Sequence, residues 1–210
     1  MGSVNLSIKD KTIEEVSSHK ILGVVIDNNL SWLDHVSKVC KTVSKKIYQL
    51  SKIKHFLNLH SRKIFFHSYI EAHINYASTI WDGASDNVLK PLSSLYRRAL
   101  KLILLKSSQL TPQDYKALDI LPFRLKLNFN KALFMFKIIS GNAPPPLISR
   151  FVFNDQRHVH KITLSLPRLD LYKTSLSYSG GALWNAILGK VKTDCTSASF
   201  RKNYKKISND

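Results

Sequence analysis

Apolar residues recur along the chain with changing periods, and each period predicts a different element. Over residues 30–57, Val36, Cys40, Val43, Ile47 and Leu50 follow one another at steps of four and three, so at 3.6 residues per turn they form one stripe of a long amphipathic helix. On the other side of that wheel stand Lys38, Lys41, Lys45 and Lys52, and no Asp or Glu occurs between Asp34 and Glu71. The stripe calls for an apolar partner and the lysine row for an anionic one. Ser31 followed by Asp34 predicts a capping box at the start of the helix, with the carboxylate at the positive end of the helix dipole.

Upstream the period is short. Residues 4–8 and 12–16 alternate apolar and polar positions around Asp10-Lys11, the pattern of a hairpin, and 21–26 is a β-branched run of strand length interrupted by Gly23. Three such strands cannot cover both of their faces, so they read as the margin of a larger sheet. Downstream the pattern is helical. Ser61 is placed to cap a helix carrying Phe65, Phe66, Tyr69 and Ile70. Asp86 or Asn87 opens another, with Leu89, Leu92, Leu95, Tyr96, Ala99 and Ile103 inward and Arg97, Arg98 and Lys101 outward.

Thr111-Pro112-Gln113-Asp114 predicts a short helix to Leu118, with a Thr cap, Pro at the first helical position and an acid at the third. A further helix over 123–140 has Leu125, Phe129, Leu133, Phe136 and Ile139 on its apolar side, and Gly141 and the prolines at 144–146 stop it. Beyond Arg150 the pattern loosens into an extended stretch to Ser179, a brief segment around Leu183-Trp184, and a tail with Arg201, Lys202, Lys205 and Lys206. The expected fold class is mainly α with a small N-terminal antiparallel β element. The β element occupies 1–29, a helical bundle 30–143, and a loosely packed, partly extended C-terminal extension 144–210.

With 210 residues and 44% apolar content, the chain can bury a core. The charge changes the picture more: 32 Lys+Arg against 14 Asp+Glu leave a net of +18 and a pI near 10.0. Such an excess is self-repelling unless a polyanion sits against it, and nucleic acid fits ahead of an anionic membrane. Cys40 and Cys195 are the only cysteines, which excludes a disulfide framework or a cysteine-rich zinc site. No apolar run approaches the ~20 residues needed to cross a bilayer, and the first residues lack the apolar core of a signal peptide. The expected location is intracellular, nuclear or cytoplasmic, and not secreted.

The usual catalytic patterns are missing. Two-metal nucleotidyl transfer needs carboxylates that converge on ions about 4 Å apart, whereas the acids here are scattered singly apart from Glu14-Glu15. His158 and His160 alternate in an extended segment without a third ligand, so a solvated or phosphate-facing pair is the favoured reading. His35, His55, His60, His67 and His73 have no nucleophile in view and read as ordinary surface or core residues. A glycine-rich phosphate loop and a Gly-x-Ser-x-Gly elbow are both absent. Trp32, Trp81 and Trp184 are flanked by apolar residues, which favours packing over base stacking.

Lys20-Ile21-Leu22-Gly23-Val24-Val25-Ile26-Asp27, followed by Leu30-Ser31-Trp32 and His35, resembles the reverse transcriptases of non-LTR (LINE-type) retrotransposons. Those proteins carry K-[FY]-L-G-[VI]-x-[IL]-D and L-[ST]-W-x-x-H where the palm gives way to the thumb. The likeness continues in Tyr69-Ile70, Asn75-Tyr76, Ile80-Trp81, Leu95 with Arg97-Arg98-Ala99, Leu118 with Leu121, and 132–137. It extends through Leu166-Pro167-Arg168, Gly180, Leu183-Trp184-Asn185 and Phe200-Arg201-Lys202, with Ile187-Leu188 where the family has Leu-Pro.

The resemblance implies an RNA-directed DNA polymerase lineage. Ile21, Leu22, Gly23 and Val24 would correspond to the primer-grip strand, and the helices of 30–143 to a thumb-like domain that holds template and primer by their backbones. The family's aromatic-x-Asp-Asp motif is absent, so the implied chain is a truncated, non-catalytic remnant. No cofactor is expected, since magnesium belongs to the parent polymerase and its ligands are missing here. The expected function is nucleic-acid backbone binding through Lys38, Lys41, Lys45, Lys52, Arg97, Arg98 and Lys101, with RNA or an RNA–DNA hybrid as partner and no membrane. The alternatives are a helical protein–protein interaction module, docked on a missing palm or another helical partner, and a relic without function.

Overall fold

Two residues with positive φ decide how the N-terminal part turns. In a computed structural model that describes residues 7–8, 11–12, 14–156, 159–187 and 196–209, strands β1 (Ser7–Ile8) and β2 (Lys11–Thr12) form a minimal antiparallel pair. The rest of the hairpin expected over 4–16 lies outside the described residues or, from Glu14 to Ser17, is not strand. Strands β3 (Ser18–Ile21) and β4 (Val24–Asp27) pair antiparallel, with Ile21 opposite Val24. The two-residue loop between them has φ 47° at Leu22 and 87° at Gly23, the conformation of a type I′ turn. Residues 21–26 are therefore a hairpin corner and not one strand. The β-branched composition is that of a strand, but a left-handed turn at Leu22-Gly23 folds the run back on itself.

Helix α1 (Leu33–Ile53) follows, then a 3-10 turn (Lys54–Phe56) and a continuous helical stretch made of α2 (Leu59–Phe65), a π segment (Phe66–Glu71) and α3 (Ala72–Asn75). Next come α4 (Ser78–Trp81), α5 (Asp86–Leu104), α6 (Pro112–Leu118), α7 (Phe123–Ile139) and the single turn α8 (Pro145–Ile148). Strands β5 (Val152–Gln156) and β6 (Val159–Thr163) form a third antiparallel pair within the stretch read as extended. The chain closes with α9 (Asp170–Thr174), a π segment (Leu176–Gly180), α10 (Gly181–Ala186) and α11 (Ser197–Asn209). The molecule is mainly α with small antiparallel β elements, as the periods predict.

Caps follow local chemistry, though not always at the expected residue. Thr111 and Asp114 form the predicted capping box. At α2 the cap is Asn58, whose side chain accepts the Ser61 N–H at 2.8 Å, so Ser61 is capped and does not cap. At the end of α7, Gly141 (φ 74°) donates to Ile138 O and Asn142 to Lys137 O, a Schellman stop. Leu105 and Asp119 close α5 and α6 with the same left-handed geometry but without glycine.

Two apolar cores are built. In the first, Val36, Val39, Val43, Ile47 and Leu50 of α1 are covered by Leu89, Leu92, Tyr96, Ala99, Leu100 and Ile103 of α5, with Phe66, Ile70 and Ile74 closing a third side. The apolar stripe of α1 thus finds its partner within the chain, and Cys40 sits at its margin, half-buried. The second core gathers Phe129, Ala132, Met135, Phe136 and Ile138 of α7 with Phe151, Ile162, Trp184, Phe200 and Tyr204.

Helix α7 therefore serves both cores, since Phe123 and Leu127 belong to the first, and it is buried over most of its circumference. Residues after Pro146 pack on α7 more fully than their irregular pattern suggested. Gly180 and Gly181 permit the close fit: a Cβ on Gly180 would lie 2.8 Å from Met135 Sδ, and one on Gly181 2.7 Å from Leu164 Cδ2.

Candidate nucleic-acid interface

Because the apolar stripe of α1 points at α5, its lysines point away. Lys38, Lys41, Lys45 and Lys52 are all exposed. Lys38, Lys45 and Lys52 recur every seven residues, which at 1.5 Å per residue is about 10.5 Å apart along the axis. Lys41 stands between the first two, three residues from Lys38 and four from Lys45, so neighbouring charges along the row repel one another unless an anion sits against them. Lys52 also lies over the Tyr48 ring, 5.2 Å from its centroid.

On α5, Arg97 and Arg98 are exposed and Lys101 is half-buried. The three line one open cleft of about 550 Å³ with Gln109 and Leu110 from the α5–α6 connection and Tyr115 of α6. Part of their hydrogen-bonding capacity is already used: Lys101 Nζ donates to Ser107 O at 3.4 Å and Arg97 to Ser94 Oγ at 3.4 Å. The structure brings these three cations together around a cleft that none of the α1 lysines lines.

The acids that form ion pairs do so elsewhere. Among the described residues, ion pairs join Lys106 to Asp114, Lys126 to Glu71, Lys131 to Asp82, Arg124 to Asp86, Lys173 to Asp170 and Lys205 to Asp119. None includes Lys38, Lys41, Lys45, Lys52, Arg97, Arg98 or Lys101. Two pairs are deep. Glu71, turned inward on the π segment, takes Lys126 at 3.0 Å and His67 Nδ1 at 2.7 Å. Burial pushes the Glu71 carboxyl up, but His67 and Lys126 outweigh it and hold the group below the usual carboxylate range. Asp82 takes Lys131 at 3.0 Å, and there burial prevails, lifting Asp82 to about 6 against the pull of Lys131 and Arg124.

Ile21, Leu22, Gly23 and Val24 stand at the β3–β4 corner. Leu22 is 86% exposed, and its carbonyl accepts the Tyr76 hydroxyl at 2.5 Å. Gly23 faces the same ring, with a Cβ position 3.5 Å from Tyr76 Cε1. Tyr76, Trp81 and His35 meet here: Trp81 Nε1 donates to Tyr76 O at 3.1 Å, and the Trp81 ring lies 6.0 Å from that of buried His35. His35 Nδ1 accepts the Val25 N–H at 3.4 Å. Burial, then the nearby Lys38 charge, pulls the His35 imidazole down toward its neutral form. These residues weld the hairpin to α1 and α4.

Sequence reasoning missed Glu71 and Asp82 as organising acids because their lysine partners, Lys126 and Lys131, lie about fifty residues away; it missed Asp27, whose partners are only two to five residues on, because Ser31 and Asp34 offered a nearer cap. Trp81 and Trp184 are fully buried and Trp32 is half-buried, so they pack as their apolar flanks suggest. The His158 and His160 side chains and Cys195 fall outside what the structure describes. None of the described helices is long and apolar enough to cross a membrane. Comparison with protein-family models, curated proteins and solved structures finds no match for this chain.

Proposed function

We propose that this chain binds the backbone of RNA or of an RNA–DNA hybrid, without catalysis of its own, in the manner of the thumb of a non-LTR reverse transcriptase. The observation that carries the proposal is the allocation of charge. Every described acid that forms an ion pair takes a cation from outside the α1 row, and Lys38, Lys41, Lys45 and Lys52 are left exposed and unneutralised. Phosphates are the natural counter-charge for such a row, and each one engaged releases condensed counterions. Arg97, Arg98 and Lys101 form a second, separate group of cations around a cleft beside α5. The competing reading, a protein-interaction module built on the α1 apolar stripe, has less support because α5 already fills that stripe.

The test is binding of a blunt RNA–DNA hybrid across a salt series. The Lys38→Glu, Lys41→Glu, Lys45→Glu variant is expected to lower affinity by at least tenfold in low salt and to shallow the salt slope by about 3. Unchanged affinity and slope in a folded variant would remove these lysines from the interface.

A further inference from the structure

Helix α11 has two faces, one apolar and one basic. Phe200 and Tyr204 are buried against α7, where Phe200 stacks on Phe136 at 4.7 Å and Tyr204 meets Phe129 at 5.5 Å. Arg201, Lys202 and Lys206 are exposed on the other side and enter no ion pair among the described residues. They rim a cleft of about 770 Å³ beside α11 and α7, whose apolar lining is Ile120, Leu121 and Phe129 and which His67 and the paired carboxylates Glu71 and Asp119 also line. Lys205 and Lys126 also line it but are committed, Lys205 to Asp119 at 2.9 Å and Lys126 to Glu71 at 3.0 Å.

A rim of free cations beside an apolar lining suits a ligand that carries phosphate on one side and a flat, weakly hydrated body on the other. The volume lies within the range that encloses small ligands. A duplex cannot use the apolar lining, because its bases are stacked inside and it offers only phosphates; an unpaired nucleotide offers both. No residue of the α1 row lines this cleft.

We propose that the α7–α11 cleft binds an unpaired nucleotide, its phosphate on Arg201, Lys202 and Lys206 and its base against Ile120, Leu121 and Phe129. The shared chemistry is a nucleoside phosphate, supplied by free nucleotide or by a single-stranded segment. The site goes beyond the duplex-backbone row on α1 in both residues and ligand form.

The test uses the full chain, a short labelled oligouridylate and a blunt RNA–DNA hybrid. Arg201→Gln, Lys202→Gln, Lys206→Gln is expected to weaken the single strand about tenfold while changing hybrid affinity by less than about twofold. Ala198→Glu, which sets a carboxylate into the same cleft, should act alike without removing any side-chain contact. Lys38→Glu, Lys41→Glu, Lys45→Glu should show the converse preference, so failure of the α1 reading leaves this result intact. Adenosine triphosphate that displaces the oligonucleotide identifies free nucleotide as a ligand. Absence of displacement, with the strand still lost in the variants, identifies the unpaired segment. Equal loss of strand and hybrid in the α11 variants, strand affinity retained within about twofold, or displacement by inorganic tripolyphosphate as effective as by the nucleotide would overturn the proposal.

Discussion

The carboxylate of Asp27, the last residue of β4, accepts the backbone N–H of Trp32 at 2.9 Å, and with it those of Ser31 at 2.9 Å and Asn29 at 3.1 Å. The expected Ser31–Asp34 capping box is not formed. The residue before α1 is Trp32, in a left-handed conformation (φ 64°), and its side chain makes no cap. Asp27 holds the turn that leads into the helix, while the N–H of Leu33, the first helical residue, goes to Ser31 Oγ at 3.3 Å. Partial burial pushes the Asp27 carboxyl up, but the N–H groups of Ser31, Trp32 and Asn29 outweigh it and hold it below the usual range.

Asp27→Ala is therefore expected to cost about 1.5–3 kcal/mol, the scale of hydrogen bonds to a charged group, and to loosen β3–β4 from α1. Because the folded pKa is depressed, Asp27 contributes its stability above the ordinary carboxylate range and loses it as pH falls through the folded value. Urea unfolding at about pH 3 and about pH 7 should show the variant's penalty shrinking in acid; an equal penalty at both would mean that the charge is not what matters.

Tyr76 and Gly23 hold the hairpin corner. Tyr76→Phe removes the hydroxyl bonded to Leu22 O, an exposed contact worth about 1 kcal/mol or less. Gly23→Ala has room for the methyl group but not the φ of 87°, and should cost about 1 kcal/mol. Amide exchange in β3 and β4 should quicken in both while α5 amides stay protected. Slow exchange in the hairpin of both variants would show that the corner is held by other contacts.

The buried pair Asp82 and Lys131 carries the strongest pH signal. Burial raises Asp82 to about 6, so the folded chain keeps a proton that the unfolded chain releases. Its contribution to stability is thus full at low pH and is lost as pH rises through about 6. Lys131→Met leaves Asp82 without its nearest cation and should cost about 3–5 kcal/mol near neutrality. The cost should be distinctly smaller at about pH 5, where the carboxyl is neutral. Denaturation midpoints at the two pH values decide it, and a pH-independent cost would assign the loss to packing alone.

Phe200 tests how far the second core depends on α11. It is fully buried between Phe136 and Trp184, with ring centroids at 4.7 Å and 6.0 Å. Phe200→Ala should cost about 3–5 kcal/mol and expose amides of α11 and α10 before those of α1 and α5. A single transition with uniformly quickened exchange would instead make the two cores one cooperative unit.

Much of this architecture is legible locally. The steps of four and three in α1, the capping box at Thr111 and Asp114, and the stop at Gly141 each depend on residues within a turn or two of one another. The exposure of Lys38, Lys41, Lys45 and Lys52 follows from the same wheel. The turn at Leu22-Gly23 was not legible, because Leu is a poor left-handed residue and only Gly23 hinted at it. The basic face of α11 did leave a signal: Arg201 with Lys205 and Lys202 with Lys206 are spaced by four, opposite Phe200 and Tyr204.

The amino-acid order by itself determined where most helices run, which face of each is apolar, and that positive charge outweighs negative in the chain as a whole. Only the tertiary structure decided that α5 covers the α1 stripe, that α7 is shared by two cores, and that Glu71 and Asp82 neutralise Lys126 and Lys131 and leave the α1 lysines bare. The reason is range. Periodicity and capping act within a few residues, whereas the pairing of Tyr76 with Leu22 or of Lys131 with Asp82 joins positions about fifty residues apart, and no local pattern records it.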